Sequence, residues 1–91
     1  MKSYILEGVT SPGEVRFILD RLLPGQRDPW LLRETDGDPI AYYALVEADV
    51  ELKRSAVVAN ISGRHYDQDE RVVAILQRLQ AAVGGEITYA P

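Results

Sequence analysis

The chain has 91 residues, of which 46% are hydrophobic and 26% are charged. This length suits one domain with a single core, so residues 1–91 are interpreted as one folded domain and not as a disordered or fibrous chain. The net charge is −4 and the basic residues are spread from Lys2 to Arg78, which disfavours nucleic acid as a partner because phosphate binding needs clustered cations.

The amino-terminal residues disfavour secretion and membrane insertion. Glu7 places a charge too early for the apolar region of a secretory signal, and no stretch approaches the roughly 20 apolar residues that span a bilayer. The chain has no cysteine, which excludes disulfides, thiolate metal ligands and a cysteine nucleophile. We expect a cytoplasmic protein that has no membrane partner.

The first elements in the chain are a strand and a helix. Residues 4–9 are β-branched and aromatic enough to predict a strand. Ser11 is the expected helix cap, Pro12 suits the first helical position, and Glu14 can complete a capping box. The helix should end at Pro24-Gly25, and its buried side is predicted from apolar residues at helical spacing: Val15, Ile18, Leu19 and Leu22.

Three strands follow, which we expect to form an antiparallel meander. The pair Asp36-Gly37 is a turn signal between strands at residues 30–34 and 40–47. The second of these strands is apolar at both alternating sets of positions, which predicts a place near the middle of the sheet. The third strand is predicted at residues 56–62.

A second helix and a last strand complete the chain. The helix is expected to begin at Asp67, where residues 67–70 match a capping box, and to end at Gly84-Gly85 before a strand at residues 86–89. Its buried side is predicted as Val72, Ile75, Leu76, Leu79 and Val83. The expected fold is α+β, in the order β-α-β-β-β-α-β, with a five-stranded, mainly antiparallel sheet and two helices on one face.

One polar candidate site lies between the third meander strand and the second helix. Arg64, His65 and Tyr66 adjoin a helix start, where an anion could bind. The acids of the first helical turn, beginning with Asp67, would oppose that anion. The alternative is purely structural: Asp67 caps the helix, Arg64 pairs with a nearby acid, and His65 is solvated.

No metal, cofactor or catalytic residue is predicted. His65 is the only histidine, and Asp36-Gly37-Asp38 is better explained as a turn than as a calcium loop. Ser62 lacks the preceding glycine of a Gly-x-Ser-x-Gly nucleophile elbow.

A candidate interface is predicted from Trp30, Tyr42, Tyr43 and Leu45, because large aromatic side chains dominate many protein interfaces. Adjacent residues of a strand point to opposite faces, so one of the two tyrosines should lie away from the helices. Packing in the core is the alternative explanation for these residues. If Tyr43 is the outward residue, Tyr43→Glu should leave the fold intact and weaken association.

The order of elements resembles that of small ferredoxin-like domains, including ligand-sensing modules of the ACT type, with one strand added. That resemblance implies a binding role and pairing through the sheet. Residues 40–89 also resemble the cofactor half of the acyl-CoA acetyltransferase fold in outline. The family's glycine-rich pyrophosphate turn is replaced here by Arg64-His65-Tyr66-Asp67-Gln68-Asp69, which has acids where the glycines belong and disfavours cofactor binding.

The function expected from these observations is a small non-catalytic interaction module that binds a protein partner or a second copy of itself through an apolar sheet face. Three alternatives stay open. They are a regulatory domain of ACT-like type that senses a small molecule, an immunity or inhibitor protein that covers a basic enzyme, and a degenerate acetyltransferase-like fold.

Overall fold

A computed structural model describes residues 2–90 of the chain. Within these residues the elements are β1 (Lys2–Val9), α1 (Pro12–Leu22), β2 (Trp30–Arg33), β3 (Pro39–Asp49), β4 (Arg54–Ile61), a 3₁₀ helix (Gly63–His65), α2 (Asp69–Val83) and β5 (Glu86–Ala90). The predicted α+β class and the predicted order of helices and strands are confirmed.

The five strands form one open sheet in the order β2-β3-β4-β1-β5. Every neighbouring pair is antiparallel, so the sheet is wholly and not just mainly antiparallel. The strands β4 and β5 are both antiparallel to β1, which lies between them, so they run parallel to each other. Parallel strands require a crossover, and α2 provides it.

Both helices pack on the same face of this sheet. Val15 and Leu19 of α1 and Val72, Leu76 and Leu79 of α2 are buried in one cluster. The strands contribute to that cluster from alternate positions: Leu6, Trp30, Ala41, Tyr43, Val57, Ala59 and Ile61. We call this side of the sheet the covered face and the opposite side the open face.

Neither predicted capping box forms as expected. Ser11 is the N-cap residue of α1, but its side chain makes no capping hydrogen bond. The helix α2 begins at Asp69 and not at Asp67, because a turn follows the 3₁₀ helix and places Gln68 at the N-cap. The carboxylate of Asp69 accepts hydrogen bonds from Lys2 and Tyr4 of β1.

The glycines at the end of α2 have distinct roles. Gly84 ends the helix with a φ of 76°, and its amide donates to the carbonyl oxygen of Gln80 at 2.8 Å. At Gly85, a Cβ atom would lie 2.4 Å from the carbonyl oxygen of Glu7. Only glycine lets the backbone approach β1 this closely at the point where β5 begins.

The longer helix of residues 2–90, α2, has 15 residues, and neither helix is long and apolar enough to cross a membrane.

Candidate functional site

The predicted polar site divides into two separate clusters. The first lies at the 3₁₀ helix, where the imidazole of His65 and the guanidinium of Arg64 both meet Asp38 from the turn between β2 and β3. His65 Nε2 is 2.7 Å from Asp38 Oδ2, and Arg64 forms an ion pair with the other carboxylate oxygen. The hydrogen bond with His65, together with the charge of Arg64, lowers the pKa of Asp38.

The backbone holds Asp38 in position for these contacts. Gly37, with a φ of 92°, allows the tight reversal after Glu34, and its amide donates to the Glu34 carbonyl oxygen at 2.9 Å. The amide of Asp38 donates to Asp36 Oδ1 at 2.9 Å, the usual way in which an aspartate rigidifies a turn. The sequence identifies the turn correctly, but the role of Asp38 as the partner of both Arg64 and His65 depends on the tertiary fold.

Tyr66 belongs to the second cluster, at the start of α2. Lys2 Nζ donates to the carbonyl oxygen of Tyr66 and to Asp69 Oδ1, both at 2.9 Å, and lies 5.8 Å from the centre of the Tyr66 ring. Tyr4 Oη donates to Asp69 Oδ2 at 2.6 Å. This last bond, with that from Lys2, lowers the pKa of Asp69, and the same bond raises the pKa of Tyr4 to about 12.

These contacts argue against an anion site at the helix start. The cations Arg64 and Lys2 are already paired with carboxylates, and Asp69 and Glu70 bring negative charge into the first turn of α2. An incoming anion would compete with these acids for the same donors. His65 is largely buried against Asp38 and is not solvated as the structural alternative expected, whereas Arg64 does pair with an acid.

The predicted four-residue interface is corrected by the structure, because its members lie on different faces. Trp30 and Tyr43 are fully buried on the covered face, and Leu45 is partly buried against the same core. Only Tyr42 lies on the open face, where its side chain is 41% exposed. The two buried aromatic residues cannot contact a partner without unfolding.

Each buried aromatic residue has a hydrogen-bond partner inside the fold. Trp30 Nε1 donates to Asp20 Oδ1 at 2.9 Å, and the bonds from Arg27 and Trp30 lower the pKa of Asp20. Tyr43 Oη donates to the carbonyl oxygen of Val72 at 2.9 Å, and burial raises the pKa of its hydroxyl. These satisfied donors identify Trp30 and Tyr43 as core residues.

The open face presents a different set of apolar residues. The strand registers place Tyr42 in one row with Leu31 and Asn60, Ala44 in the next row with Val58 and Ile5, and Val46 beside Ala56. Its apolar members are Ile5, Leu31, Tyr42, Ala44, Val46, Ala56 and Val58. The alternation of side chains along β3 indicates that Tyr42, Ala44 and Val46 share one face of the sheet. The sequence does not indicate whether that face is the one that the helices cover.

Charge on the open face lies at the ends of its strands, where Arg54 continues the row of Ala56 and Val58 along β4. The rows through Tyr42 and Ala44 carry no charged side chain on the described strands. The two polar residues in the row of Tyr42 are hydrogen bonded to each other, with Ser3 Oγ donating to Asn60 Oδ1 at 2.6 Å. Glu7 and Glu86 face each other at the far end of β1 and β5. The open face thus has an apolar centre, with charged residues only toward the ends of the described strands.

No group of three histidine, aspartate or glutamate side chains that could hold a metal ion occurs in the part of the chain from Lys2 to Ala90. Comparison of the chain with protein-family models, with curated proteins and with solved structures gives no match. The functional argument therefore depends on the surfaces of the molecule itself.

Proposed function

We propose that this protein is a non-catalytic interaction module that self-associates by packing the open face of its sheet against the same face of a second copy. The observation that carries the proposal is the apolar, uncharged centre of that face, around Tyr42 and Ala44. A surface of this kind is costly to leave in water, and a two-fold axis allows identical patches to cover each other.

The strand order supports the relation to ferredoxin-like domains. Without the edge strand β2, the chain runs β1-α1-β3-β4-α2-β5 and its sheet reads β3-β4-β1-β5. This order matches the double split β-α-β plan of those domains, if β2 is taken as the added strand. Their plan also leaves one sheet face uncovered by helices.

The charge distribution leaves the centre of the open face free of repulsion between two copies. The chain has a net charge of −4, so two copies repel each other overall. The centre of the open face contributes nothing to this repulsion, whereas the corner formed by Glu7 and Glu86 does. We expect a two-fold arrangement that keeps these corners apart, since like charges brought together oppose association.

The size of the face limits the strength of the dimer. Five strands about 4.8 Å apart, each contributing about five residues, make a flat patch of roughly 300–400 Å² per copy. Even with allowance for rough side-chain surfaces, two such patches lie near or below the about 1,200 Å² of a standard interface. The expected dimer therefore dissociates on dilution, with a dissociation constant on the order of micromolar.

Sedimentation velocity from low micromolar to near-millimolar concentration tests this proposal. Val46 is 41% exposed on the open face, and Val50 is 71% exposed in the turn after β3. Val46→Glu should weaken the dimer by at least about tenfold, because the new charge appears twice in a two-fold interface. Val50→Glu makes the same chemical change away from the face and is the matched control.

A protein that stays monomeric at near-millimolar concentration would contradict the proposal. Equal weakening by both substitutions would also contradict it, because the effect would then come from net charge and not from the open face.

A further inference from the structure

A cleft between the two helices combines an apolar floor with two arginines. It is lined by Phe17, Ile18, Arg21 and Leu22 of α1 and by Arg78 of α2, and its volume is about 430 Å³. Ile18 and Leu22 pack against the core, whereas Phe17 is 60% exposed. A site with an apolar wall and a few polar groups at one end is typical of small-molecule binding.

Within residues 2–90, neither arginine of this cleft has an acidic partner. The ion pairs of these residues use other basic side chains. They are Lys2 with Asp69, Arg27 with Asp20, Arg64 and His65 with Asp38, and Arg71 with Glu34. The guanidinium carbon of Arg21 lies 5.7 Å from the centre of the Phe17 ring. A positive charge is thereby held beside exposed apolar surface.

The sign of the charge distinguishes this cleft from three other clefts on the surface. Three other surface clefts each contain at least one carboxylate: Asp20 beside Arg27, Glu47 beside Arg16 and Lys53, and Asp69 with Glu70. Among the described residues, the charged side chains that line the cleft between the helices are the cations Arg21 and Arg78, although the whole chain carries a net charge of −4. Guanidinium groups bind carboxylates with planar, paired hydrogen bonds.

We propose that this cleft binds an amphipathic carboxylate of the class of medium-chain fatty acids. The carboxylate lies at Arg21 and Arg78, and the hydrocarbon chain covers Phe17, Ile18 and Leu22. The cleft is formed by the helices on the covered side of the sheet, so the proposal does not depend on self-association through the open face.

Isothermal titration calorimetry with octanoate, below its micelle concentration, tests the proposal. We expect saturable binding of one octanoate per chain. The probe 1-octanol has the same chain length without the charge and should bind at least about tenfold more weakly, since it forms no charge-assisted hydrogen bond with the arginines. Equal affinity for the two probes, or the absence of saturable octanoate binding, would overturn the proposal.

Substitutions of the two arginines locate the carboxylate. Arg21→Gln and Arg78→Gln should each weaken octanoate binding by about fivefold, and the double substitution by more than about tenfold, with circular dichroism unchanged. Arg16→Gln removes an arginine of the same helix that lines a different cleft and should leave the affinity unchanged. Full affinity in the double variant would refute the assignment.

A last substitution separates this site from the open face. Val46→Glu should leave octanoate affinity unchanged whether or not it weakens self-association. Loss of octanoate binding in that variant would place the ligand on the open face and overturn the proposed site. Unchanged octanoate binding in a protein that proves to be monomeric would support the cleft and contradict the proposed function.

Discussion

Tyr42 and Tyr43 are neighbours in the chain and have the same side chain, yet they lie in opposite environments. Tyr43 is fully buried, pairs with Ala59 across the sheet, and donates its hydroxyl to the Val72 carbonyl oxygen. Tyr42 is 41% exposed and pairs with Asn60 on the open face. The comparison shows that position relative to the helices, and not residue type, decides whether an aromatic side chain supports the fold or is available to a partner.

The same contrast holds for the two faces as a whole. The covered face is closed by the side chains of α1 and α2, and its polar groups are hydrogen bonded inside the fold. The open face is apolar at its centre and is covered by neither of the α-helices found within residues 2–90. Substitutions on the covered face should therefore change the free energy of unfolding, whereas those on the open face should change association.

The largest expected difference is between the alanine variants of the two tyrosines. Tyr43→Ala should lower the free energy of unfolding by about 3–5 kcal/mol, because it leaves a cavity in the core and removes a buried hydrogen bond. Tyr42→Ala should lower it by less than about 1 kcal/mol. Urea denaturation of both variants measures the difference, and similar losses would contradict the assignment of faces.

Tyr43→Glu also tests whether Tyr43 belongs to the core or to an interface. With Tyr43 buried, this variant should fail to fold, so its loss of association carries no information about an interface. The informative substitutions for association are on the open face.

Added volume should distinguish the faces by a smaller amount. Ala59 is fully buried beside Tyr43, so Ala59→Leu should cost about 1–3 kcal/mol through overpacking. Ala44→Leu adds the same atoms on the open face and should change the free energy of unfolding by no more than about 0.5 kcal/mol. A large loss at Ala44 would show that the open face is already closely packed against something else.

Removal of one hydroxyl should have a still smaller effect. Tyr43→Phe leaves the Val72 carbonyl oxygen without its side-chain donor and should cost about 1 kcal/mol in the free energy of unfolding. Tyr42→Phe should have an effect close to zero. If the two variants are equal in urea denaturation, the hydrogen bond from Tyr43 makes no net contribution.

The smallest expected difference is in the response to acid. Asp69 has a lowered pKa in the folded protein because it accepts from Tyr4 and Lys2 on the covered face. The unfolded chain then binds protons more readily than the folded one, so this contribution to stability is present above the ordinary pKa of aspartate, near 4, and is lost as the pH falls through the lower folded value. Asp69→Asn should flatten the fall in stability below about pH 4.

Ser3→Ala is the control for that measurement. It removes an uncharged hydrogen bond to Asn60 on the open face and should leave the dependence of stability on acid unchanged. Thermal denaturation from neutral to acidic pH compares the variants, and an unchanged acid response in Asp69→Asn would contradict the role given to this carboxylate.

The elements were predictable because their signals are local. Apolar residues at helical spacing, Pro12 at the start of α1, Gly84 at the end of α2 and the Asp36-Gly37 turn each depend on neighbours in the sequence. The capping box predicted to begin at Asp67 does not form, because the 3₁₀ helix and a turn delay the start of α2 to Asp69, whose carboxylate accepts from Lys2 and Tyr4 of β1. The hydrogen-bond partners of such a side chain cannot be predicted from its sequence neighbours alone when residues distant in the sequence also lie within reach.

The candidate sites were less predictable. The sequence predicted Arg64, His65 and Tyr66 as one site. In the structure, Arg64 and His65 bind Asp38, whereas Tyr66 lies beside Lys2. Neither Asp38 nor Lys2 is near the junction in sequence. The cleft with Arg21 and Arg78 joins two helices far apart in the chain, and no local spacing indicates it.

By itself, the sequence determined the class of the fold, the order of its helices and strands, and the fact that Tyr42 and Tyr43 point to opposite faces, because a strand alternates its side chains every residue. Only the tertiary structure decided the strand order, with β1 between β4 and β5, and which tyrosine faces the helices. The reason is physical: periodicity along a strand has two equivalent phases, and the docking of α1 and α2 on one face makes them different.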